Sequence, residues 1–407
     1  MFDVKTIRKD FPMLKKKMQK HPLIYFDNAS TSLKPKCVID AISNYYLNET
    51  SNSHRGDYDL AYSVDQKVLE ARKNIAKFIN AKPEEVVFTS GASMSLNLVA
   101  FGYGAKFLKR NDEILISEAE HASNVLPWFK VAEITGAKIK YIPLNKEGRI
   151  TLDNVKKSIS KKTKIISIAE ISNVLGYLTP IREIAMYAHK KNIIVVCDGA
   201  QSVPHKKTDV QWMHVDFLCF SGHKMCGPTG IGVLYGRYEL LKVMDPFLSG
   251  GGMNSKFETC GAVEYLAPPS KFEAGTLNLA GIYGLDEAVK YLTKIGMNNI
   301  EKYEKELRKY LLSKLTSIKD IIIYNKTAES GIITINKSTV FAQDESTFLN
   351  SKGIAVRSGQ HCAKMLNDFL HTPATVRISL YFYNTKEEID ELVTNLKKGD
   401  FLDAYFA

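Results

Sequence analysis

Short apolar runs alternate along the chain with longer segments in which apolar residues recur at helical spacing. The runs at 193–197 and 215–220 are almost continuously apolar, which is typical of strands buried on both faces. Helical spacing is clearest over residues 61–79, where Val64, Val68 and Ile75 share one face. Such strands in alternation with helices predict an α/β fold with a mostly parallel sheet.

The pattern changes near residue 285, where a long helical region is followed by short strands and helices. We therefore predict three parts. Residues 1–20 form an N-terminal helix that packs with the small domain. Residues 21–284 form a large domain, and residues 285–407 form a smaller α+β domain that carries a cysteine-containing loop.

The net charge of +11 comes from lysines scattered over the presumed helices. We find no nucleic-acid-binding motif, so we interpret the charge as a solvated surface rather than a nucleic-acid site. No run reaches the roughly 18 to 20 apolar residues needed to span a bilayer. The basic N-terminus contains Asp3 and Asp10 and is not serine-rich. We expect it to belong to the fold, in a cytoplasmic protein with no membrane partner.

Polar residues capable of chemistry follow the predicted strands of the large domain. The carboxyl ends of parallel strands meet at one edge of a sheet, which is where α/β proteins bind ligands. The residues expected at this edge are Ser93, His121, Asn173, Asp198, Gln201, Ser221, His223 and Lys224.

Lys224 and Asp198 together suit pyridoxal phosphate. A lysine amine forms a Schiff base with the aldehyde of this cofactor, and a carboxylate keeps the pyridine nitrogen protonated. Residues 86–93 form a strand, a glycine-containing turn and a helix start, which together can cradle a phosphate. Neither a Walker motif nor a GxGxxG fingerprint is present.

The six cysteines include no CxxC pair, so we predict no metal site. Cys197 and Cys219 lie in apolar strands and are expected to be buried. Cys362 instead lies in a polar, glycine-containing loop with Arg357 and His361. His361 and Cys362 have no further ligands at metal-like spacing, so Cys362 is a candidate nucleophile.

Several segments resemble one enzyme family over nearly the whole chain. The most specific read SNVLG at 172–176, DGAQS at 198–202, SGHK at 221–224, GPTGIG at 227–232 and RSGQHCA at 357–363. They resemble the class V aminotransferase family of fold-type I pyridoxal-phosphate enzymes, and most closely its SufS-type (group II) cysteine desulfurases. The lysine motif is shared across the wider family, whereas the cysteine loop narrows the resemblance to desulfurases.

The resemblance implies a fold-type I transferase and a role for each site residue. Lys224 would bind the cofactor and move protons, and His121 would stack on the ring and act in catalysis. The other cofactor contacts would be Asp198 at the pyridine nitrogen, Gln201 at the ring hydroxyl, and Ser93, Ser221 and His223 at the phosphate. Thr276 of the partner subunit would complete the phosphate site in a homodimer, and Asn173, Arg357 and Arg377 would bind substrate.

The implied reaction converts L-cysteine to L-alanine and leaves a persulfide on Cys362. A SufE-like or SufU-like acceptor protein would then take the sulfur for iron–sulfur cluster assembly. Three alternatives stay open: a selenocysteine lyase, a class V aminotransferase acting on a small amino acid, and a non-catalytic scaffold.

The chain departs from the family pattern at two places. Ala92, Ser93 and Met94 stand where the phosphate loop often has two threonines and a glutamate, so Ser93 must supply the remaining hydroxyl. Gln360 stands where a second histidine is common, and we assign it no role.

Overall fold

The computed structural model describes residues 2–53 and 56–398. Met1 and residues 399–407, at the ends of the predicted domains, and residues 54 and 55 lie outside this range. The strands are β1 Lys17–Met18, β2 His21–Pro22, β3 Ile24–Tyr25, β4 Val86–Thr89, β5 Glu113–Ser117, β6 Lys138–Ile142, β7 Thr163–Ala169, β8 Ile194–Asp198, β9 Phe217–Ser221, β10 Gly232–Gly236, β11 Asn254–Phe257, β12 Val263–Tyr265, β13 Ile321–Ile323, β14 Ile332–Lys337, β15 Ile354–Ala355, β16 Arg357–Gly359 and β17 Thr375–Ser379.

Helices lie between most of these strands, as the alternating pattern predicts. They are α1 Val4–Arg8, α2 Lys36–Asn48, α3 Asp59–Phe78, α4 Ala92–Val99, α5 Ala105–Phe107, α6 Leu126–Thr135, α7 Leu152–Ser158, α8 Ile181–His189, α9 Val210–Met213, α10 Tyr238–Val243, α11 Leu279–Ile295, α12 Met297–Leu315, α13 Ala342–Ser351, α14 Lys364–Phe369 and α15 Lys386–Lys398.

The large sheet has seven strands in the order β4-β10-β9-β8-β7-β5-β6. Only β10 is antiparallel to its neighbours, so the predicted mostly parallel α/β sheet is confirmed. The carboxyl ends of β4, β5, β7, β8 and β9 therefore reach one edge. Gly232 begins β10 at the same edge, where an added Cβ would lie 2.4 Å from the Cα of Gly91. The close approach of these two backbones requires glycine.

Alternate residues of the central strands enter two different cores. Val195 and Cys197 of β8 pack with α2, α3, α8 and α11 on one face, whereas Val196 packs with α4 and α6 on the other. Side chains alternate across a strand, so a strand covered on both faces must be apolar at every position. This explains the continuous apolar runs. Edge strand β6 instead exposes Lys138 and Tyr141.

A second sheet lies in the part of the chain predicted as the small domain. Its four antiparallel strands have the order β13-β14-β17-β16. Apolar residues of α12 and α15 cover it. The N-terminal segment contacts the same region, because Arg8 forms an ion pair with Glu388 at 2.7 Å and Phe2 packs on Tyr303. Strand β3 also pairs with β15.

The sequence pattern does not predict two features. The long helical region consists of two helices, α11 and α12, because Gly296 has a φ of +91° and ends α11. Strands β11 and β12 form a hairpin between β10 and this helical region. No helix within 2–53 and 56–398 has the length and apolar character needed to cross a bilayer.

A buried ion pair supports the junction of α3 with β4. Both oxygens of Glu273 accept from Arg72 at 2.8 Å, and one also accepts from the amide of Phe88.

We expect Glu273→Gln to lower the free energy of unfolding by about 3 kcal/mol, because a buried guanidinium would lose its counter-charge. The measurement is urea unfolding. The exposed pair of Lys130 with Glu133 provides the control, since Glu133→Gln should change stability by less than about 0.5 kcal/mol. Equal effects of the two substitutions would contradict this account.

Candidate active site

A cavity of about 210 Å³ opens at the carboxyl edge of the large sheet, against β16 and β17 of the small sheet. Ten of the predicted site residues line it: Ser93, His121, Asn173, Asp198, Gln201, Ser221, His223, Lys224, Arg357 and Arg377. Cys362 and Thr276 are not among its lining residues. The cavity is therefore built by both sheets.

Lys224 and Asp198 lie at the ends of the adjacent strands β9 and β8. Lys224 ends a single 3₁₀ turn that follows β9, and Asp198 is the last residue of β8. One carboxylate oxygen of Asp198 accepts from the amide of Ala200 at 2.9 Å. Burial lowers the pKa of Lys224 to about 8, while the Asp198 carboxylate opposes this change. Burial also raises the pKa of Asp198.

The N-terminus of α4 forms one end of the cavity. The amide of Ala92 donates to Ser221 Oγ at 2.7 Å, and Ser93 Oγ lies 2.6 Å from Ser123 Oγ. Amide groups at a helix start and several hydroxyls are the donors that bind a phosphate. Gly91 precedes the helix, and an added Cβ there would lie 3.3 Å from Ser221 Oγ. The predicted phosphate cradle has the required donors.

Two histidines in the cavity are held neutral. Burial lowers the pKa of His121 to about 4, and the positive charges of Lys224, Arg357 and Arg377 act in the same direction. Its Nδ1 accepts from the amide of Ser123 at 3.1 Å, so the proton of the neutral ring lies on Nε2. Burial and the nearby Lys224 and Lys34 also lower the pKa of His223 to about 4.

Gln201 presents a buried oxygen that lacks a partner. Its Nε2 donates to the carbonyl of Ala29 at 2.7 Å, whereas its Oε1 has no hydrogen-bond partner in the described part of the chain. A buried polar atom in this state is costly unless a ligand satisfies it. A cofactor ring hydroxyl, the partner that the resemblance implies for Gln201, would satisfy this oxygen.

Arg377 and Arg357 form the opposite wall of the cavity. Arg377 is almost completely buried, donates to the carbonyl of Asn173 at 2.9 Å, and pairs with Asp27 at 3.0 Å. Its Nε has no partner among the described residues. Arg357 is half-buried, and its Nη2 lies 3.6 Å from Cys362 Sγ. Two guanidinium groups provide a place for a substrate carboxylate.

Cys362 is exposed at the rim, in a loop that is bonded to residues following β7 and β5 of the large sheet. The side chain of Asn173 donates to the carbonyl of His361 at 2.8 Å, and the amide of Ala122 donates to the carbonyl of Cys362 at 2.8 Å. His361 and Cys362 have φ values of +51° and +58°. Non-glycine residues adopt this conformation only where their surroundings impose it.

Thr276 lies away from the other predicted residues in this chain. It is exposed beside a separate cavity of about 230 Å³ that Phe88, Ser90 and Asn278 also line. Its predicted contact with a phosphate in the partner subunit stays a prediction.

Sequence reasoning missed three polar residues of the site. Ser123 contacts both Ser93 and His121, while Asp27 and Ser30 contact the arginines. Ser123 follows the predicted strand end closely enough to have been included. Asp27 and Ser30 precede the large sheet by more than fifty residues, so no strand-end pattern could identify them.

The residues present fit pyridoxal phosphate. The cavity combines one carboxylate, Asp198, with the cationic groups of Lys224, Arg357 and Arg377. This excess of positive charge suits an anionic phosphate and a substrate carboxylate, and the amine of Lys224 can reach the neutral form that attacks an aldehyde. Among the described residues, no group of three or more His, Cys, Asp or Glu side chains could hold a metal ion.

A family model described as aminotransferase class-V matches residues 24–392. The chain belongs to the class-V aminotransferase family. A probable cysteine desulfurase of Halalkalibacterium halodurans is 45% identical over 96% of this chain and 97% of its own length. One from Synechocystis is 42% identical over 96% and 94%.

Solved structures agree with this assignment. The cysteine desulfurase CsdA of Escherichia coli superposes with a TM-score of 0.92 at 35% identity, over 99% of each chain. An apo cysteine desulfurase of Thermococcus onnurineus gives a TM-score of 0.92 at 37% identity, over 97% of each chain. These comparisons confirm the predicted fold class, the family with its pyridoxal-phosphate cofactor, and the relationship to cysteine desulfurases.

The pKa of Lys224 makes cofactor uptake by the cofactor-free enzyme depend on pH. Only the neutral amine reacts with the aldehyde, so we expect the uptake rate to rise with pH and level off above about 8. In Asp198→Asn the midpoint should move to lower pH, because the carboxylate that stabilises the ammonium is lost. The absorbance of bound cofactor measures the rate. Asp40→Asn, at an exposed site, is the control. A midpoint near the ordinary lysine value of 10.5, or an unchanged midpoint in Asp198→Asn, would contradict this assignment.

Proposed function

We propose that the enzyme is a pyridoxal-phosphate-dependent cysteine desulfurase of the SufS type. The observation that carries this proposal is the position of Cys362, which is exposed at the rim of the Lys224 cavity with a guanidinium nitrogen 3.6 Å from its sulfur. The names of the relatives at 42% to 45% identity support the same activity. A class V aminotransferase would not need a cysteine at this place.

Five residues of the cavity then have a part in the reaction. Arg377 and Arg357 bind the substrate carboxylate, with Asn173 beside them. Lys224 removes the proton at the substrate Cα, and the bound cofactor supplies the electron sink for the pair left behind. His121 would stack on the bound cofactor ring, as the resemblance implies, and its neutral ring carries the proton on Nε2.

The sulfur step is a displacement at the substrate sulfur. The Cys362 thiolate forms an S–S bond to that sulfur while the substrate Cβ–S bond breaks, and the electron pair of the broken bond stays with the carbon fragment. Protons from the site then complete the methyl group and the Cα–H of alanine. The sum is one L-cysteine and one Cys362 thiol giving one L-alanine and one Cys362 persulfide, with no external oxidant.

The exposed loop supports delivery of this sulfur to a protein acceptor. Cys362 lies at the surface, and its backbone is fixed by hydrogen bonds from Asn173 and Ala122. A SufE-like or SufU-like protein is the expected acceptor, and iron–sulfur cluster assembly is the expected use. All six cysteines are free thiols, which fits a reducing compartment, and we place the reaction in the cytoplasm.

The proposed enzyme acts as a homodimer with shared sites. Thr276 is exposed and outside the cavity of its own chain, and the nearby hairpin exposes Phe257, Val263 and Tyr265. These exposed apolar side chains lie next to a residue that is predicted to bind cofactor. Their exposure supports an interface in which a second copy of the chain covers them.

Replacing the cysteine should separate cofactor binding from sulfur transfer. We expect Cys362→Ala to keep the yellow cofactor and to lose alanine formation from L-cysteine with a reductant by at least about a hundredfold, because the nucleophile is gone. Cys260→Ala removes the other exposed cysteine and should retain full activity. Full activity of Cys362→Ala would exclude the persulfide step. Absence of alanine from the yellow wild-type enzyme would favour a transaminase.

Replacing the threonine tests the shared site. We expect Thr276→Ala to weaken cofactor binding by about tenfold, the effect of one hydrogen bond to an anion. The measurement is a cofactor titration, made beside a determination of molecular mass in solution. Thr347→Ala, at an exposed threonine on α13, should bind cofactor normally. A fully active monomer would contradict the shared site.

A further inference from the structure

The hydroxyl of Ser30 joins the two arginines of the cavity. It accepts from Arg357 Nη1 at 3.0 Å and from Arg377 Nη2 at 2.8 Å, and it donates to Asp27 Oδ1 at 2.7 Å. The same Asp27 oxygen pairs with Arg377 at 3.0 Å. One small side chain therefore contacts both guanidinium groups.

The turn that carries Ser30 is itself fixed. The amide of Ser30 donates to the carbonyl of Asp27 at 3.1 Å. The preceding residue, Ala29, accepts from Gln201 at 2.7 Å and donates to Ser379 Oγ at 2.9 Å. The turn is bonded both to Gln201, which follows β8 of the large sheet, and to Ser379 in β17 of the small sheet. The position of the Ser30 hydroxyl is therefore set by the packing of the two sheets.

The second nitrogen of Arg357 faces the nucleophile. Its Nη2 lies 3.6 Å from Cys362 Sγ, while Nη1 is bound to Ser30. Arg377 has a counter-charge in Asp27, whereas no carboxylate lies within ion-pair distance of Arg357 in the described residues. The guanidinium is a rigid planar fork, so fixing Nη1 also fixes the direction of Nη2.

We propose that Ser30 is a positioning residue that holds Arg357 toward the sulfur of Cys362 and thereby sets the reactivity of the thiolate. Arg357 Nη2 provides a hydrogen-bond donor and a positive charge next to the sulfur, which attacks as the thiolate. Without the Ser30 hydroxyl, Arg357 keeps its charge but loses the hydrogen bond that directs its Nη2 toward Cys362 Sγ. The contact with Arg377 links this orientation to the place where a substrate carboxylate binds. The role rests on the proposed function only in naming Cys362 as the attacking group.

The test measures alkylation of Cys362 by iodoacetamide at neutral pH in the cofactor-loaded enzyme, with mass spectrometry reading the Cys362 peptide. All variants carry Cys260→Ala, which removes the competing exposed thiol. We expect Ser30→Ala to slow alkylation about tenfold, the effect of losing one hydrogen bond to a charged group. Ser30→Thr, which keeps a hydroxyl, should retain most of the rate, and Ser317→Ala, at an exposed serine, should retain all of it.

A double-mutant cycle distinguishes positioning from a general loss of structure. Arg357→Lys keeps the charge and removes the fork, so Ser30→Ala should have little further effect in that background. An equal effect of Ser30→Ala in both backgrounds, or wild-type alkylation in Ser30→Ala, would overturn the proposal. Cofactor absorbance and the unfolding midpoint verify that each variant is folded. Alkylation needs no turnover, so a wild-type enzyme that forms no alanine would contradict the proposed function and leave this test intact.

Discussion

The hydrogen bonds of residues 27–32 hold the two halves of the active-site cleft together. Asn28 donates to the carbonyl of Ser379 in the small sheet, and the amide of Ser32 donates to the carbonyl of His223, next to Lys224. Arg377 reaches the same segment through Asp27. Because these contacts cross from one sheet to the other, the relative positions of lysine, arginines and cysteine depend on a turn that belongs to neither sheet.

The charge of the cleft follows from the same arrangement. Burying several cations together is costly, and the structure offsets the cost in different ways for each group. Burial lowers the pKa of Lys224 to about 8, so its ammonium group loses a proton more readily than that of an ordinary lysine. Arg377 has a carboxylate and a carbonyl as partners, and Arg357 is only half-buried. His121 and His223 are neutral, because burial and nearby cations lower the pKa of each to about 4. An anionic cofactor and the carboxylate of an amino-acid substrate would therefore complete a site that has an excess of positive groups.

Much of this site could be predicted from the sequence because its residues follow buried strands. Apolar runs locate the strands, and parallel strands bring their ends to one edge, so the apolar pattern places Asp198 and Lys224 at the same edge. That they lie on adjacent strands follows from the strand order, in which β8 is next to β9. The sequence could not show that Ser30 contacts two arginines more than three hundred residues away, since that proximity arises only when the two sheets pack. The end of α11 at Gly296 could not be predicted either. Helical spacing continues on both sides of this glycine, and only its positive φ shows that the helix ends there. Thr276 lies outside the cavity of its own chain, and its proposed contact with a second subunit rests on the family resemblance, because the apolar pattern of one chain carries no signal for such a contact.

The fixed backbone of Cys362 limits how far its sulfur can travel. The carbonyls of residues 361 and 362 accept hydrogen bonds from Asn173 and Ala122, and both residues have positive φ, so side-chain rotation is the main movement left to the thiol. A sulfur atom held in this way reaches only its immediate surroundings. In the proposed reaction, an acceptor protein would therefore have to bring its own thiol to the rim. The shape of the acceptor surface, rather than movement of the Cys362 loop, would then determine which proteins receive the sulfur.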